Sequence, residues 1–416
     1  MRVLLSTIGS RGDVQPLVAL AWQLRALGHD VHLCVPPDFR DWIEGLGMAV
    51  TPIGPELSKA AASRAAAASA PAAPAPPSPE RRRQMAEATV ATQFETIPAA
   101  ARGCDVIVAA TALQIAARSV AEKMGIPYVF AAYCPTVLPS PHHAPPPLPP
   151  LPGQTPPPAT ADNRELWARD AERFHDLFGA ALNSHRAAMG LAPVRDARGH
   201  IFSDRPWLAA DPTLAPWPDP ADGDVVQTGA WILPDERPLS PELERFLDAG
   251  EPPVYFGFGS MRAPQDLGGV TIQTARSLGR RAIVLRGWAE LSLLDDEPDG
   301  LAIGEVNQQA LFKRVAAVVH HGGAGTTTTA TQAGAPQVVI PQMYDQHYWA
   351  GRIRDLGIGA AHAPGIPTTG SLASALEHAL EPAVAARARS IGTAVRGDGA
   401  EAAARLILKP ILNPRE

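Results

Sequence analysis

Short apolar runs alternate with amphipathic stretches over the first 130 residues, and the same rhythm restarts at Pro253; this is the pattern of a parallel α/β sheet. The spacing predicts strands at 2–8, 31–35, 48–53, 105–110 and 128–133 in the first half. In the second half it predicts them at 254–258, 282–286, 301–306, 316–321, 337–340 and 359–363. Between the first two strands, Leu17, Leu20, Ala21, Leu24 and Leu27 recur at helical spacing, with Pro16 in the first turn and Gly28 after the last apolar position. No motif repeats at a short fixed period, so a solenoid is not indicated. With 416 residues the chain has length for two or three domains. The expectation is therefore an α/β protein of two Rossmann-like, doubly wound parallel-sheet domains facing each other across a cleft. Residues 1–210 form the first, 232–416 the second, and 211–231 the linker, where Pro212, Pro216, Pro218 and Pro220 break any periodicity.

Proline is abundant, 44 residues, but its excess is local. The stretch from Lys59 to Pro79 is Ala/Pro low complexity, and half of residues 135–158 are proline, so both read as surface loops rather than sheet. A charged segment at 162–189 has helical character. Basic residues number 36 and acidic ones 42, a net charge of −6, which leaves no global basic field to hold a nucleic acid. Lysine occurs only at 59, 123, 313 and 409, never after glycine, which excludes a P-loop. Cys34, Cys104 and Cys134 are odd in number and widely spaced, the usage of a reducing compartment with buried thiols and no disulfides. The apolar run at the N-terminus is too brief for a signal peptide, and no stretch of about 18 apolar residues occurs. A soluble, cytoplasmic protein without membrane partners is expected.

In open α/β sheets ligands bind beyond the carboxyl ends of strands, so the residues following each strand are the ones to interrogate. After the first comes Gly9-Ser10-Arg11-Gly12-Asp13. Asp13 can cap the helix that begins near Pro16, and a carboxylate in that place can also take a proton from a hydroxyl. Later, Val318-Val319-His320-His321 ends a strand and Gly322-Gly323-Ala324-Gly325-Thr326-Thr327 opens a helix. Small residues let a phosphate approach backbone N–H groups at the positive helix end, while a threonine hydroxyl and the His320 imidazole N–H add hydrogen bonds. A diphosphate site is the natural reading; a plain glycine-rich turn would leave His320 and the threonines unexplained. His320 and His321 point to opposite faces of a strand, which argues against a shared metal.

Tyr255-Phe256-Gly257-Phe258-Gly259-Ser260 is a second strand-to-glycine turn, but no G-x-G-x-x-G is completed and no acidic residue closes the second strand, which disfavours a dinucleotide hydride site. Asp345 and Gln346, one β/α unit after the phosphate turn, can hydrogen-bond vicinal sugar hydroxyls. Arg286-Gly287-Trp288 and Glu305-Val306-Asn307-Gln308 end two preceding strands and could flank a base, although Trp288 could equally be core.

The N-terminal Gly-Ser-Arg-Gly-Asp loop, the later His-His-Gly-Gly-Ala-Gly-Thr-Thr and the Pro-Gln-Met-x-Asp-Gln segment together resemble the GT-B nucleotide-sugar glycosyltransferases of family 1. Ala91–Phe94, Ser119–Lys123, Asn183–Arg186, Gln227–Pro238 and Gly304–Asn307 are similar to the branch that decorates vancomycin-group glycopeptide antibiotics. The intact phosphate turn and Asp-Gln pair, with the Pro139-Ser140-Pro141 loop, look more like its aglycone glucosyltransferases than its amino-sugar transferases. The resemblance implies an acceptor-binding first domain, a donor-binding second domain, and a final helix packed back on the first. It implies inverting, metal-independent transfer of a hexose, most simply glucose, from a UDP- or dTDP-sugar to a phenolic hydroxyl of a peptide-derived aglycone, the central 4-hydroxyphenylglycine. No cofactor beyond the nucleotide-sugar co-substrate is implied, and the protein is expected to be a monomer or weak homo-oligomer. Asp13 would be the general base. Ser10, Arg11, Ser260, Arg286, Trp288, Val306, His320, Gly322, Gly323, Ala324, Gly325, Thr326, Asp345 and Gln346 would bind the donor, and Tyr133, Pro141 and His142 the acceptor. The insert from Lys59 and the proline run from Pro145 depart from the family pattern and leave the acceptor open. The alternatives are transfer to another natural product, a nucleotide-sugar epimerase, or a non-enzymatic sugar or peptide binder.

Overall fold

The computed structural model describes residues 1–58, 78–147, 157–158, 160–219, 224–259, 267–287, 291, 293, 295, 297–363 and 366–412. The chain divides into two compact units: Met1–Ala210 with Pro216–Leu233 and Gly397–Glu416, and Asp211–Ala215 with Pro234–Arg396. The segment read as a linker is thus shared, its first five residues belonging to the second unit and Pro216 onward to the first.

In the first unit, strands β1 (Arg2–Thr7), β2 (Asp30–Val35), β3 (Ala49–Pro52), β4 (Val106–Ala110), β5 (Tyr128–Ala132), β6 (Trp207–Leu208) and β7 (Val226–Gln227) form one sheet in the order β3-β2-β1-β4-β5-β6-β7. Every pair is parallel. The core strands are apolar on both sides because both faces are covered. Val3, Leu5, Leu33, Val106 and Val108 pack under helix α1 (Arg11–Ala26), whereas Leu4, Cys34, Ile107 and Ala109 meet α2 (Pro79–Ala100) and α3 (Ala117–Met124) on the other face. Helices α4 (Asn163–Ala188) and α5 (Ala197–His200) follow β5. The last helix, Gly399–Leu412, lays Ala400, Ala403, Ala404 and Ile407 into the α1 cluster. Its entry is a backbone crossing: a Cβ on Gly399 would lie 2.3 Å from the carbonyl carbon of Gly229, so only glycine fits.

In the second unit, β8 (Val254–Gly257), β9 (Ala282–Leu285), β10 (Gly300–Ile303), β11 (Ala317–His320), β12 (Gln337–Val339) and β13 (Gly359–Ala361) form an all-parallel sheet in the order β10-β9-β8-β11-β12-β13. Val254, Phe256, Val284 and Val319 pack against α6 (Leu267–Ser277), and Tyr255, Ile283 and Val318 face the opposite cluster with Ala330 of α7 (Ala324–Gln332). Helix α8 (Gln346–Asp355) follows β12. The expected strands are all present. The sequence missed β6 and β7, which are two residues each and are held by pairing, β6 with β5 and β7 with β6, rather than by an apolar run of their own. All three cysteines are buried, and none is in a disulfide. No helix among the described residues is long and apolar enough to cross a membrane.

Candidate active site

Each sheet has one place where neighbouring strands send their following segments in opposite directions, between β1 and β4 in the first and between β8 and β11 in the second. Such switch points open a crevice at the carboxyl ends of the strands. Both principal candidate turns lie there: Gly9–Asp13 follows β1, and His320–Thr327 follows β11.

Helix α1 begins at Arg11, earlier than expected, with Ser10 as its N-cap; Asp13 is therefore in the first turn rather than at the cap. Its Oδ2 accepts the Ser10 N–H at 2.6 Å and the Ser10 hydroxyl at 3.2 Å. This reciprocal arrangement fixes the carboxylate rotamer, and Gly9 leaves room for it, since a Cβ there would stand 2.2 Å from Oδ2. A carboxylate has about four acceptor sites, so capping and proton acceptance are compatible. Directly after β4, Thr111 takes φ +76°, an uncommon conformation for a β-branched residue, and its hydroxyl lies 3.4 Å from both the Ile8 carbonyl and the Thr7 hydroxyl.

Tyr133, expected on the acceptor side, has its hydroxyl turned to the protein: it donates to the Asp13 carbonyl at 3.1 Å, with its ring edge on Trp231. Burial, then the Asp13 charge, raises the phenol well above its ordinary pKa. Its hydroxyl is thus a brace for the first turn of α1, and the ring remains partly exposed. The Arg11 guanidinium stacks 3.5 Å over the Trp42 ring and its Nε donates to Gln15, both in the same unit. Pro141 and His142 are exposed, and His142 Nε2 stands 3.9 Å from the Asp219 carboxylate.

In the second unit the two histidines separate as strand geometry requires, their rings nearly perpendicular at 85°. His320 is fully buried. Its Nδ1 accepts the Gly322 N–H at 3.1 Å, so Nε2 carries the proton and donates to Gln337 Oε1 at 2.9 Å. Gln337 continues to the Thr331 hydroxyl, and Thr331 to the Thr327 carbonyl. Burial, with His321 adding to it, pushes the His320 pKa down to about 3, so the ring is neutral. With both nitrogens engaged inside the unit, His320 orders the turn and has no N–H to lend to a phosphate, contrary to the sequence expectation.

The sequence reading passed over His321. Its Nδ1 is buried without a hydrogen-bond partner, and its ring lies where a Cβ on Gly259 or Gly323 would come within 3.2 or 2.7 Å. Burial pushes its pKa down to about 4. Two glycines facing one imidazole were the available signal, but only the fold brings Gly259 to it. Gly323 caps α7, whose first-turn amides at Ala324, Gly325 and Thr326 have no acceptor within the helix, and a Cβ on Gly325 would enter open space.

Gly322 (φ +91°) abuts the Asp-Gln turn: a Cβ would lie 2.7 Å from Val339 Cγ1 and 3.1 Å from the Gln346 carbonyl oxygen. The His320–Thr327 turn and the Asp345–Gln346 pair are thus in backbone contact. Gln346 Oε1 accepts the N–H groups of Gln342 and Met343 at 2.7 and 3.1 Å, holding the turn in which Tyr344 takes φ +53°. Asp345 Oδ2 accepts the Trp349 indole N–H at 3.1 Å, and burial raises its pKa. Arg286 is exposed at the end of β9, and Val306 packs on the apolar cluster. Asn307 is a structural clasp, accepting from Ala310 N–H and donating to the Asp235 and Arg237 carbonyls. Ser260 and Trp288 lie outside the described residues. No group of three or more His, Cys, Asp or Glu side chains among the described residues could hold a metal ion.

Residues 3–140 match the glycosyltransferase family 28 N-terminal domain, and residues 277–402 the C-terminal domain of erythromycin biosynthesis protein CIII-like proteins. The fold is similar to that of the glycotransferase of kitacinnamycin, with a TM-score of 0.71 at 21% identity over 98% of each chain. The two all-parallel sheets and this likeness give the chain the GT-B fold, and the family matches make it a glycosyltransferase. The chain is 54% identical over 413 residues to the glycosyltransferase GtfE of Amycolatopsis orientalis, covering 99% of this chain and 98% of that one. It is 52% identical, with the same coverage, to the vancomycin aglycone glucosyltransferase of that organism. To the dTDP-epi-vancosaminyltransferase of that organism it is 43% identical over 399 residues, 94% of this chain and 93% of that one. The chain belongs to the vancomycin-group glycosyltransferases, as the sequence motifs implied.

Proposed function

We propose that this enzyme transfers a hexose, glucose, from a UDP- or dTDP-sugar to the phenolic hydroxyl of the central 4-hydroxyphenylglycine of a glycopeptide aglycone, with inversion and without a metal ion. The observation that carries the reading is the backbone contact of the turn opening α7 with the Asp345–Gln346 turn, which supports a diphosphate on the one and its sugar on the other. The 52% identity to an aglycone glucosyltransferase supports the acceptor and the sugar. Asp13 takes the phenolic proton as the phenol oxygen bonds to the anomeric carbon and the bond from that carbon to the β-phosphate oxygen breaks. The α7 amides and His321 receive the departing nucleotide diphosphate, doing by helix-end electrostatics what a divalent ion does elsewhere. Asp345 accepts hydrogen bonds from sugar hydroxyls. A phenol of pKa about 10 needs little help to become a nucleophile, so leaving-group stabilisation carries most of the catalysis.

The test is incubation of vancomycin aglycone with a panel of UDP- and dTDP-sugars, read by mass and fragment mapping. One hexose on the central hydroxyphenylglycine is expected. Preferred transfer of an amino sugar, or donor hydrolysis alone, would overturn the assignment.

A further inference from the structure

The segment after β5, residues 133–143, starts at Tyr133 on the Asp13 carbonyl and carries the exposed Pro141 and His142. What holds it is a set of side chains from α4 and α5. The Val137 carbonyl accepts Arg198 Nη2 at 3.2 Å, the Pro141 carbonyl accepts Asn163 Nδ2 at 2.8 Å, and the His143 carbonyl accepts the Trp167 indole N–H at 2.9 Å. The His143 ring sets its edge against Trp167 and Trp217, and its Nε2 meets the Leu138 carbonyl at 2.9 Å.

Arg198 is the node of this set. It is only 6% exposed, its Nε donates to Asp170 Oδ2 at 2.9 Å, and its guanidinium lies 4.9, 5.4 and 6.0 Å from the rings of Phe202, Phe174 and Trp167. Its Nη1 is buried with no partner. A buried cation with an unmet donor is a poor stability device, since apolar residues of similar volume pack as well or better. Its planar fork does what apolar packing does not: it ties one loop carbonyl to one helix carboxylate in a fixed direction.

We propose that Arg198, oriented by Asp170 inside this aromatic box, is a positioning residue that sets the acceptor wall at 135–143 and hence acceptor recognition. The proposal rests on reading residues 133–143 as part of the acceptor side. It is tested by steady-state kinetics with vancomycin aglycone at saturating donor, together with calorimetric UDP and dTDP binding, on Arg198→Lys, Asp170→Asn, Trp167→Phe and, as reference, His142→Ala.

Lysine can keep the ion pair but not the fork, and Trp167→Phe keeps a ring while removing one N–H. Both should raise the acceptor KM about tenfold, the consequence of losing one loop-anchoring hydrogen bond, with kcat within about twofold and nucleotide affinity unchanged. Asp170→Asn should do likewise. An unchanged acceptor KM in these three alongside a raised KM in His142→Ala would overturn the positioning role and leave the acceptor reading standing. Unchanged KM in all four would overturn the acceptor reading itself. Parallel loss of kcat and nucleotide affinity would make Arg198 a general structural residue, as would full recovery of acceptor KM by lysine. Should Arg198→Lys not fold, Trp167→Phe decides.

Discussion

Gly325→Ala is expected to make the protein more stable and worse at binding nucleotide. Gly325 sits in the first turn of α7 with helical backbone, and a Cβ built on it meets no atom within 4 Å. In the folded protein alone, the substitution removes glycine's excess unfolded-chain entropy at no steric cost, a gain of about 0.5–1 kcal/mol. For a unit of this size that raises Tm by about 1–4 °C. If the open space is where a phosphate meets the helix amides, the same methyl displaces it and removes at least one charge-assisted hydrogen bond, about 1.5–3 kcal/mol or roughly 10- to 100-fold in affinity. Gly322→Ala, by contrast, forces φ +91° on a residue with a Cβ and drives it into Val339, and should destabilise by about 2–4 kcal/mol. Differential scanning calorimetry and titration of UDP and dTDP provide both readouts. A more stable Gly325→Ala protein with unaltered nucleotide affinity would refute the placement of the diphosphate, and a less stable one would refute the description of the turn.

Three further outcomes are expected. The native His320 pKa lies near 3 against 6.5 for an ordinary imidazole, so between those values the unfolded chain binds a proton that the native ring does not. Stability should therefore fall as pH drops through that window, by up to about 1.4 kcal/mol per unit, and denaturant titrations of His320→Asn should show a shallower slope; an unchanged slope would contradict the buried neutral ring. Asp345→Asn keeps an oxygen for the Trp349 indole but loses the charge. It should lower kcat/KM for the donor sugar at least about tenfold while sparing affinity for the free nucleotide, whereas equal losses would assign Asp345 a structural role. Chelating agents should leave turnover intact, and strict dependence on a divalent ion would show that the leaving group is stabilised otherwise.

The strands and their switch points were legible because period-two and continuous apolar runs report burial on both faces, as Val3, Leu4 and Leu5 do by facing alternate clusters. The glycine turn was legible too, since its composition is local. What one residue does within a turn was less so. Alternation along the strand separates His320 from His321 but does not say which ring is satisfied internally; Gln337, on the neighbouring strand, decides that. Tyr133 likewise reads as a loop aromatic until the first turn of α1 is brought to its hydroxyl. Arg198 carried no signal at all, because its partners at 137, 170 and 202 converge only through the packing of two helices on the segment after β5. Asp13 was found at its strand end, but its capping partner was not, since the helix begins at Arg11, ahead of the proline at 16 that suggested its start.

The central claim is that the Asp13 carboxylate moves a proton during glycosyl transfer, and Asp13→Asn tests it directly. An asparagine oxygen can still accept the Ser10 N–H that now meets Oδ2 at 2.6 Å, so folding and nucleotide affinity should be preserved. Measured with saturating donor and aglycone, kcat should drop by roughly 10²-fold or more and recover in part as pH rises and the phenol ionises without help. A wild-type kcat in Asp13→Asn, with its pH profile unchanged, would contradict the account and reduce Asp13 to the residue that closes the first turn of α1.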